Sequence, residues 1–173
     1  MRKTEIFKPI KVGPLTLKNR IEVAPAAPFL AGHDGAATRE LFEYTCKLAG
    51  SGAGVVTIGV TSVDPQPPVG GRTLTLSNPM YISGLSDMAE GIHRFGAAAS
   101  IEMVHTKYML SPPEAVVGQT STEDVEEIIG LFAKGAKLAC DAGFDMVMIH
   151  GGHGNVPSMF FNKKYNHRTD RFG

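Results

Sequence analysis

The sequence lacks a net charge, a long apolar run and all but two cysteines. Its 17 basic and 17 acidic residues give a formal charge of zero, and no basic cluster matches a row of phosphates, so we expect no nucleic-acid partner. The charged N-terminal segment MRKTEIFKPIKVG has no apolar core of signal-peptide length, and no stretch reaches the ~20 apolar residues that span a bilayer. We therefore expect a cytoplasmic protein without a membrane partner.

The two cysteines carry no chemistry in this interpretation. Cys46 and Cys140 lie far apart, without CxxC spacing, on the apolar faces of predicted helices. We expect ordinary buried thiols rather than a disulfide or metal ligands.

Apolar residues recur in alternating strand and helix patterns. Four short, nearly continuous runs rich in Val and Ile are typical of strands buried on both faces: 21–26 (IEVAPA), 54–63 (GVVTIGVTSV), 98–105 (AASIEMVH) and 146–152 (MVMIHGG). The segments between them predict helices over residues 37–52, 82–96 and 121–144.

The last of these helices has the clearest signals. Ser121 and Asp124 predict a capping box at its start. Its apolar residues share one face: Val125, Ile128, Ile129, Phe132, Ala136 and Ala139.

This alternation predicts an α/β fold with a parallel sheet made of successive βαβ units. Before it, residues 6–20 (IFKPIKVGPLTLKNR) alternate around Gly13 and Pro14 like a small β-hairpin. The sheet either stays open or closes into an eight-stranded barrel. The sequence has no GxGxxG after its first strand and no GxxxxGK[ST], which favours the barrel. No linker divides the chain, so residues 1–173 are predicted to be a single domain.

Ligands of parallel α/β folds bind at the carboxyl ends of the strands. The residues there are Pro25-Ala26-Ala27, Gly59-Val60-Thr61, Glu102–Lys107 and His150–Asn155. Because imidazole can both donate and accept near neutral pH, His150 and His153 are suited to holding an oxyanion or a carbonyl oxygen. Two alternatives stay open. The histidines satisfy backbone groups of their loop, or they bind zinc together with His105 and Glu102.

Several segments resemble one family, in order and with similar intervals. They are LKNRIEVAP (17–25), VDPQPPVGGR (63–72), AGFDMVMIHGGHGN (142–155) and FNKKYNHRTDRFG (161–173). Together they resemble the old yellow enzyme family of FMN-dependent ene-reductases, which are built on a (β/α)8 TIM barrel. The residues that follow the family's motifs are His150, His153, Gly154, Asn166, Arg168, Thr169, Asp170 and Gly173. The resemblance implies the N-terminal half of such a barrel, with four parallel strands after a small β-hairpin, so that the single domain is a partial one.

The resemblance also implies an activity. It is that of an oxidoreductase with FMN, which takes hydride from NADH or NADPH and reduces the activated C=C bond of a small molecule such as an enone. His150 and His153 would hydrogen-bond the substrate's activating group above the flavin. Glu102 stands where the family has a glutamine that pairs with the flavin's pyrimidine edge, and Gly59 would leave room for the ring. The backbone that would line the flavin is that of Pro25, Ala26 and Ala27. Any iron-sulfur cluster would belong to a C-terminal part outside this chain.

Three positions depart from the family's pattern. Ala27 replaces a Thr or Cys that touches the flavin. Glu102, if ionised, places a negative charge beside a ring that becomes anionic on reduction, which disfavours the reduced state. Asn155 stands where many members have the tyrosine that protonates the substrate. Since an amide is a very poor acid, solvent supplies the proton or the reaction differs, and Asn155 stays a third candidate catalytic residue.

The family's chain continues for four more βα units, whose loops hold the flavin phosphate. A four-stranded half barrel exposes two strand edges and an apolar face. We therefore expect part of a longer protein, a truncated product, or a half barrel completed by a second half or by further copies in a homo-oligomer. Two other functions stay open: a degenerate half barrel that serves as an assembly or binding module, and a histidine-based barrel metallohydrolase.

Overall fold

A computed structural model describes residues 4–65, 71–108 and 110–173, and the middle of VDPQPPVGGR, residues 66–70, lies outside the described residues. The strands are β1 (Ile10–Val12), β2 (Leu15–Leu17), β3 (Glu22–Val23), β4 (Val55–Ser62), β5 (Leu74–Thr75), β6 (Ala98–Val104) and β7 (Met146–Ile149). The helices are α1 (Arg39–Ala49), α2 (Ile82–His93), α3 (Pro113–Gln119), α4 (Thr122–Asp141) and α5 (Val156–Phe161), with short 3-10 helices at Glu5–Phe7 and Pro79–Tyr81. None of the described helices combines the length and the apolar character that crossing a bilayer requires.

The first two strands form the predicted hairpin. β1 and β2 pair antiparallel, with Ile10 opposite Leu17 and Val12 opposite Leu15. Gly13 lies in the turn with φ of +55°, a left-handed conformation that glycine adopts because it has no Cβ. The hairpin prediction is confirmed.

The main sheet is parallel, in the order β3-β4-β6-β7, with β5 paired to the end of β4. All four predicted strands are present, although the first one is shortened to Glu22–Val23. The sequence pattern does not predict β5, because a strand of two residues is too short to show a period. The α/β prediction with a parallel sheet is therefore confirmed.

The three predicted helices are also present, as α1, α2 and α4. Ser121 caps α4 as expected: its hydroxyl accepts from the Asp124 backbone N–H at 3.0 Å and donates to the Asp124 carboxylate at 2.8 Å. The predicted apolar face of α4 holds for Val125 and Ile128, which are buried, but is wrong for Ile129, which is 54% exposed. Ile129 lies one position past Ile128 and so turns about 100° away from the sheet.

The two faces of the sheet have different neighbours. A Cβ placed on Gly135 of α4 would contact the side chains of Val63, Leu76 and Met103, so Met103 faces the helices. Because side chains alternate along a strand, Glu102 projects from the opposite face of β6. The main core lies between the sheet and the helices α1, α2 and α4.

One edge of the sheet carries exposed apolar side chains. Within the described residues β7 pairs with β6 alone, and its Val147 and Ile149 are 41% and 56% exposed. The prediction that this strand is buried on both faces is therefore wrong for the chain by itself. The reason is that no further strand or helix of the described residues covers that side of β7.

The cysteine prediction holds only in part. Both thiols are free and lie in helices, Cys46 in α1 and Cys140 in α4, but Cys140 is exposed rather than buried. Ala139 occupies the buried position next to it, so residue 140 turns toward solvent. Burial raises the pKa of the half-buried Cys46 thiol.

We expect Gly135→Ala to destabilise the protein by about 1 to 3 kcal/mol, because overpacking a close helix–sheet contact costs that much. The added Cβ would lie 2.9 Å from Val63 Cγ1, so α4 would have to move off the sheet. Urea denaturation followed by circular dichroism measures the change.

Gly130→Ala in the same helix is the matched control. No atom lies within 4 Å of its Cβ position, so we expect stabilisation by about 0.4 to 1 kcal/mol. If both variants changed stability in the same direction, the described packing of α4 would be incorrect.

Candidate active site

Parallel pairing of β6 with β7 brings two of the predicted site residues into contact. Glu102 is in register with Met148, and the His150 backbone N–H continues the ladder by donating to Met103 O at 3.0 Å. The Glu102 carboxylate and His150 Nδ1 then lie 2.7 Å apart. Both side chains are shielded from water, with Glu102 5% and His150 18% exposed, so this is a strong, charge-assisted contact.

His153 joins the pair from the loop after β7. Its Nδ1 lies 3.1 Å from Nε2 of His150, and the two ring centroids are 5.0 Å apart. His153 has φ of +52° and Gly154 has φ of +72°, so two successive left-handed residues turn the loop back on itself. The ring of His153 is thereby placed against His150 while the residue itself stays exposed.

Asn155 stabilises this loop through hydrogen bonds to its backbone. It is 2% exposed, and both its backbone N–H and its side-chain Nδ2 donate to Gly152 O, each at 3.0 Å. Its Oδ1 is buried without a hydrogen-bond partner among the described residues. These contacts all lie within its own loop, and a direct part in catalysis stays a prediction.

The predicted flavin-binding residues also converge. A Cβ placed on Gly59 would lie 2.7 Å from Pro25 Cβ and 2.7 Å from Oε2 of Glu102, so no larger residue fits at position 59. Ala26 is exposed and Ala27 is half-buried, directly after Pro25. The ends of β3, β4 and β6 thus form a small apolar surface bordered by one carboxylate oxygen. This surface fits the edge of a planar aromatic ring that carries an N–H donor.

His105 lies at the same end of the sheet. It follows Met103 by two residues, so its side chain projects from the same face, the one that packs against the helices. Its Nε2 contacts Asp64 Oδ1 at 2.9 Å, and its ring stacks on Tyr108 with centroids 5.6 Å apart. His105 therefore does not join Glu102, His150 and His153. Among the described residues no group of three or more His, Cys, Asp or Glu side chains is arranged to hold a metal ion, so the zinc set of the alternative hypothesis is not assembled.

Sequence reasoning missed Asp64, a buried carboxylate just past the end of β4. Its Oδ2 accepts from the Thr106 backbone N–H at 2.6 Å, the Thr106 hydroxyl at 2.8 Å and the Ser62 hydroxyl at 2.9 Å. Burial by itself raises the pKa of Asp64, but the hydrogen bonds from His105 and Thr106 outweigh it and hold that pKa well below its usual range. Its only sequence signal was an aspartate directly after an apolar strand.

The C-terminal motif NHRTDRFG has a structural role here. Arg168 donates to Val117 O at 2.9 Å and Thr120 O at 2.6 Å, and pairs with Asp170. Asp170 accepts from the Thr122 hydroxyl at 2.8 Å, so the tail is tied to the junction of α3 and α4. The Arg168 guanidinium lowers the pKa of the Asp170 carboxyl.

Comparison with known proteins gives consistent results. The sequence model of the NADH:flavin oxidoreductase / NADH oxidase family matches residues 5–118 and 114–173. NADH oxidase of Thermoanaerobacter brockii is 29% identical over 187 residues, which cover 97% of this chain and 29% of that protein. NADPH dehydrogenase of Listeria welshimeri serovar 6b is 28% identical over 185 residues, which cover 98% of this chain and 55% of that protein.

Among solved structures, the old yellow enzyme of Pichia sp. AKU4542 is similar with a TM-score of 0.85 and 24% identity. The match covers 99% of this chain and 52% of that one. The chain thus spans about half the length of that structure, or less in the case of the NADH oxidase. The predicted fold, half of a TIM barrel, is confirmed.

We expect Asp64→Asn to lower the free energy of unfolding by about 3 kcal/mol at pH 7, because it removes one charge from a buried pair. A carboxyl whose pKa is lowered by folding stabilises the folded state above its unfolded pKa of about 3.9 and loses that effect as pH falls through the folded value. The difference between the two proteins should therefore shrink below about pH 4. Urea denaturation at several pH values measures it.

Asp87→Asn is the matched control, since Asp87 is exposed and has no ion pair with other described residues. We expect its effect to stay below about 0.5 kcal/mol at every pH. A difference for Asp64→Asn that did not change with pH would contradict the described hydrogen bonds of the ionised Asp64 carboxylate.

Proposed function

The chain belongs to the NADH:flavin oxidoreductase / NADH oxidase family, and from this we propose that it is the substrate-binding half of an FMN-dependent oxidoreductase. The enzyme takes hydride from NADH or NADPH and reduces an activated C=C bond of a small molecule such as an enone. The single observation that carries the proposal is the cluster of Glu102, His150 and His153 beside Gly59, at the carboxyl ends of the strands and on the face opposite the helices.

The residues present suit the ring system of FMN. Pro25, Ala26 and Ala27 supply backbone and small side chains along one edge, and the absence of a Cβ at Gly59 lets Pro25 and Glu102 approach each other closely there. One oxygen of Glu102 is taken by His150, while the other faces Gly59 and can accept from a ring N–H. When bound there, FMN supplies the hydride chemistry.

His153 binds the activating oxygen of the substrate, and His150 fixes its position. A buried, negative Glu102 holds the imidazole of His150 in place, and His153 presents its second ring nitrogen to solvent and substrate. Hydrogen-bond donors fixed beside a carbonyl oxygen stabilise the negative charge that develops there during hydride addition. This is how the chain's own residues favour the reaction.

The flavin phosphate is held outside this chain, by a second half of the barrel. Residues 1–173 then form one partial domain, whose open side is the exposed edge of β7. A groove of about 780 Å3 follows this edge between α4, α5 and the C-terminal tail. It is bordered by the exposed side chains of Ile129, Ile149 and Phe161. Apolar surface of this kind favours association, either with the second half or with another copy.

Adding a second barrel half to the 173-residue chain tests the function. We expect the chain alone to bind FMN weakly and to show a mass above 18.5 kDa in light scattering. Mixed with the separately produced second half of the Listeria NADPH dehydrogenase, it should retain FMN and oxidise NADPH when 2-cyclohexenone is added. Flavin absorbance and NADPH absorbance report the two steps.

His150→Leu should lower kcat/KM for the enone about 100-fold, since it removes a group that fixes the oxygen-binding site. His167→Asn, at an exposed position of the tail, is the control and should behave like the unmodified chain. Stoichiometric zinc in the purified chain, or an assembled barrel that holds FMN yet reduces no activated alkene, would contradict the proposal.

A further inference from the structure

Both ring nitrogens of His150 are engaged, which determines where the protons lie. Nδ1 faces the Glu102 carboxylate at 2.7 Å, and Nε2 faces His153 Nδ1 at 3.1 Å. An ionised carboxylate only accepts, so His150 carries its proton on Nδ1. Nε2 of the neutral ring is then an acceptor, and His153 must donate to it from its own Nδ1. One carboxylate thus sets the tautomer of two rings.

The three groups form a path from the protein interior to solvent. Glu102 is 5% and His150 18% exposed, whereas His153 is exposed. Nε2 of His153 forms no hydrogen bond with the described residues, so it is available to a ligand. The two hydrogen bonds from Asn155 to Gly152 O hold the loop that keeps His153 in its left-handed conformation.

We propose that this chain of hydrogen bonds makes His153 a general acid, which gives its Nε2 proton to the activating oxygen of the substrate. Glu102 and His150 are positioning residues: they hold the Nδ1 proton of His153 toward His150, so that Nε2 points to the substrate. This inference rests on the proposed function. It assigns to an imidazole a proton transfer to the substrate oxygen, while the carbon-bound proton, which the amide of Asn155 cannot supply, comes from water.

The step balances as follows. Bound FMN would supply the hydride for the β-carbon of the alkene, and the electrons of the C=C bond would move toward the carbonyl. The Nε2–H bond of His153 breaks and an O–H bond forms on the carbonyl oxygen, which yields the enol. The enol then takes its carbon-bound proton from water, and His153, now neutral, is reprotonated from solvent.

Other titratable groups near this site already have hydrogen-bond partners within the protein. His105 and Asp64 pair with each other on the helix side of β6. Glu22 accepts from the Thr57 hydroxyl at 2.5 Å, toward the opposite end of the strands. From β4 the site is faced by Gly59, which has no side chain. Within the described residues, His153 is therefore the imidazole whose second ring nitrogen a substrate at this site can reach.

Nitrogen-15 NMR of labelled histidines in the 173-residue chain tests the hydrogen-bond chain without any cofactor. We expect both His150 and His153 to carry the Nδ1–H tautomer, with a scalar coupling across the hydrogen bond between the two rings. Glu102→Met should switch His153 to the Nε2–H tautomer, two hydrogen bonds away from the substitution. Glu102→Gln, whose carbonyl oxygen can still accept, should restore the original tautomers.

Asp145→Asn is the control for this experiment. Asp145 pairs with His93 Nε2 at 2.7 Å, a carboxylate–imidazole contact without a second ring, so only His93 should respond. If His153 kept its tautomer in Glu102→Met, or if no coupling joined the two rings of the unmodified chain, the relay would be refuted. The coupling needs no variant, so the test survives poor folding of Glu102→Met.

Turnover by the assembled barrel tests the general acid. His153→Gln keeps a hydrogen-bond donor but has no transferable proton, so kcat should fall about 100- to 10,000-fold with a much smaller change in KM. A solvent deuterium isotope effect on the unmodified enzyme should disappear in this variant. Equal kcat for His153→Gln would overturn the role of His153. Absence of any alkene reduction by the unmodified barrel would overturn it together with the proposed function, and the NMR result would still decide the hydrogen-bond chain.

Discussion

The parallel register of β6 against β7 is the constraint on which the site depends. It places Glu102 beside Met148, and the next ladder bond, from His150 to Met103, brings the imidazole to the carboxylate. A shift of one residue in this pairing would turn Glu102 or His150 to the helix side of the sheet, where His105 lies. The histidine loop, its left-handed turn and the anchor at Asn155 all follow from that register.

Glu102 contacts two different parts of this site. As a carboxylate it holds His150 on one oxygen and lies against Gly59 with the other. It therefore connects the surface suited to a flavin ring with the histidines suited to a substrate. A glutamine has one accepting oxygen and one donating amide group, so it could not accept from both His150 and a ring N–H, which gives a physical reason for the departure from the family's usual residue.

The exposed edge of β7 agrees with the finding that the chain spans only about half the length of the barrel that it resembles. The chain spans about half of the old yellow enzyme structure that it resembles, and the apolar side chains of Val147 and Ile149 are exposed on β7, the last strand of the described sheet. Both are in register with Ile101 and Met103 of β6, so they project from the helix face of the sheet, which the outer ring of helices covers in a closed barrel. The same residues that make β7 look like a buried strand in sequence thus mark the surface on which we expect a second half.

Much of the fold could be predicted because long apolar periods dominate it: β4, β6, β7, α1, α2 and α4 all have them. The short elements β5, α3 and α5 could not, since a strand of two residues and helices of six or seven residues are too short to show a period. For the site, the sequence predicted which residues lie at the carboxyl ends of the strands. It did not predict from which face of the sheet each side chain projects. His105 differs from Glu102 by an odd number of residues, which places it with Asp64 on the helix side. The exposure of Ile129 and Cys140 was missed because a helix pattern tolerates apolar residues at its border.

The contact between Glu102 and His150 is the central claim, and a double-mutant cycle tests it most directly. The free energy of unfolding would be measured by urea denaturation for the unmodified chain, Glu102→Met, His150→Asn and the double variant. If the two side chains interact as described, the effects of the single changes should differ from additivity by about 1 to 3 kcal/mol. Additivity within about 0.5 kcal/mol would show that the two residues do not interact and would contradict the account.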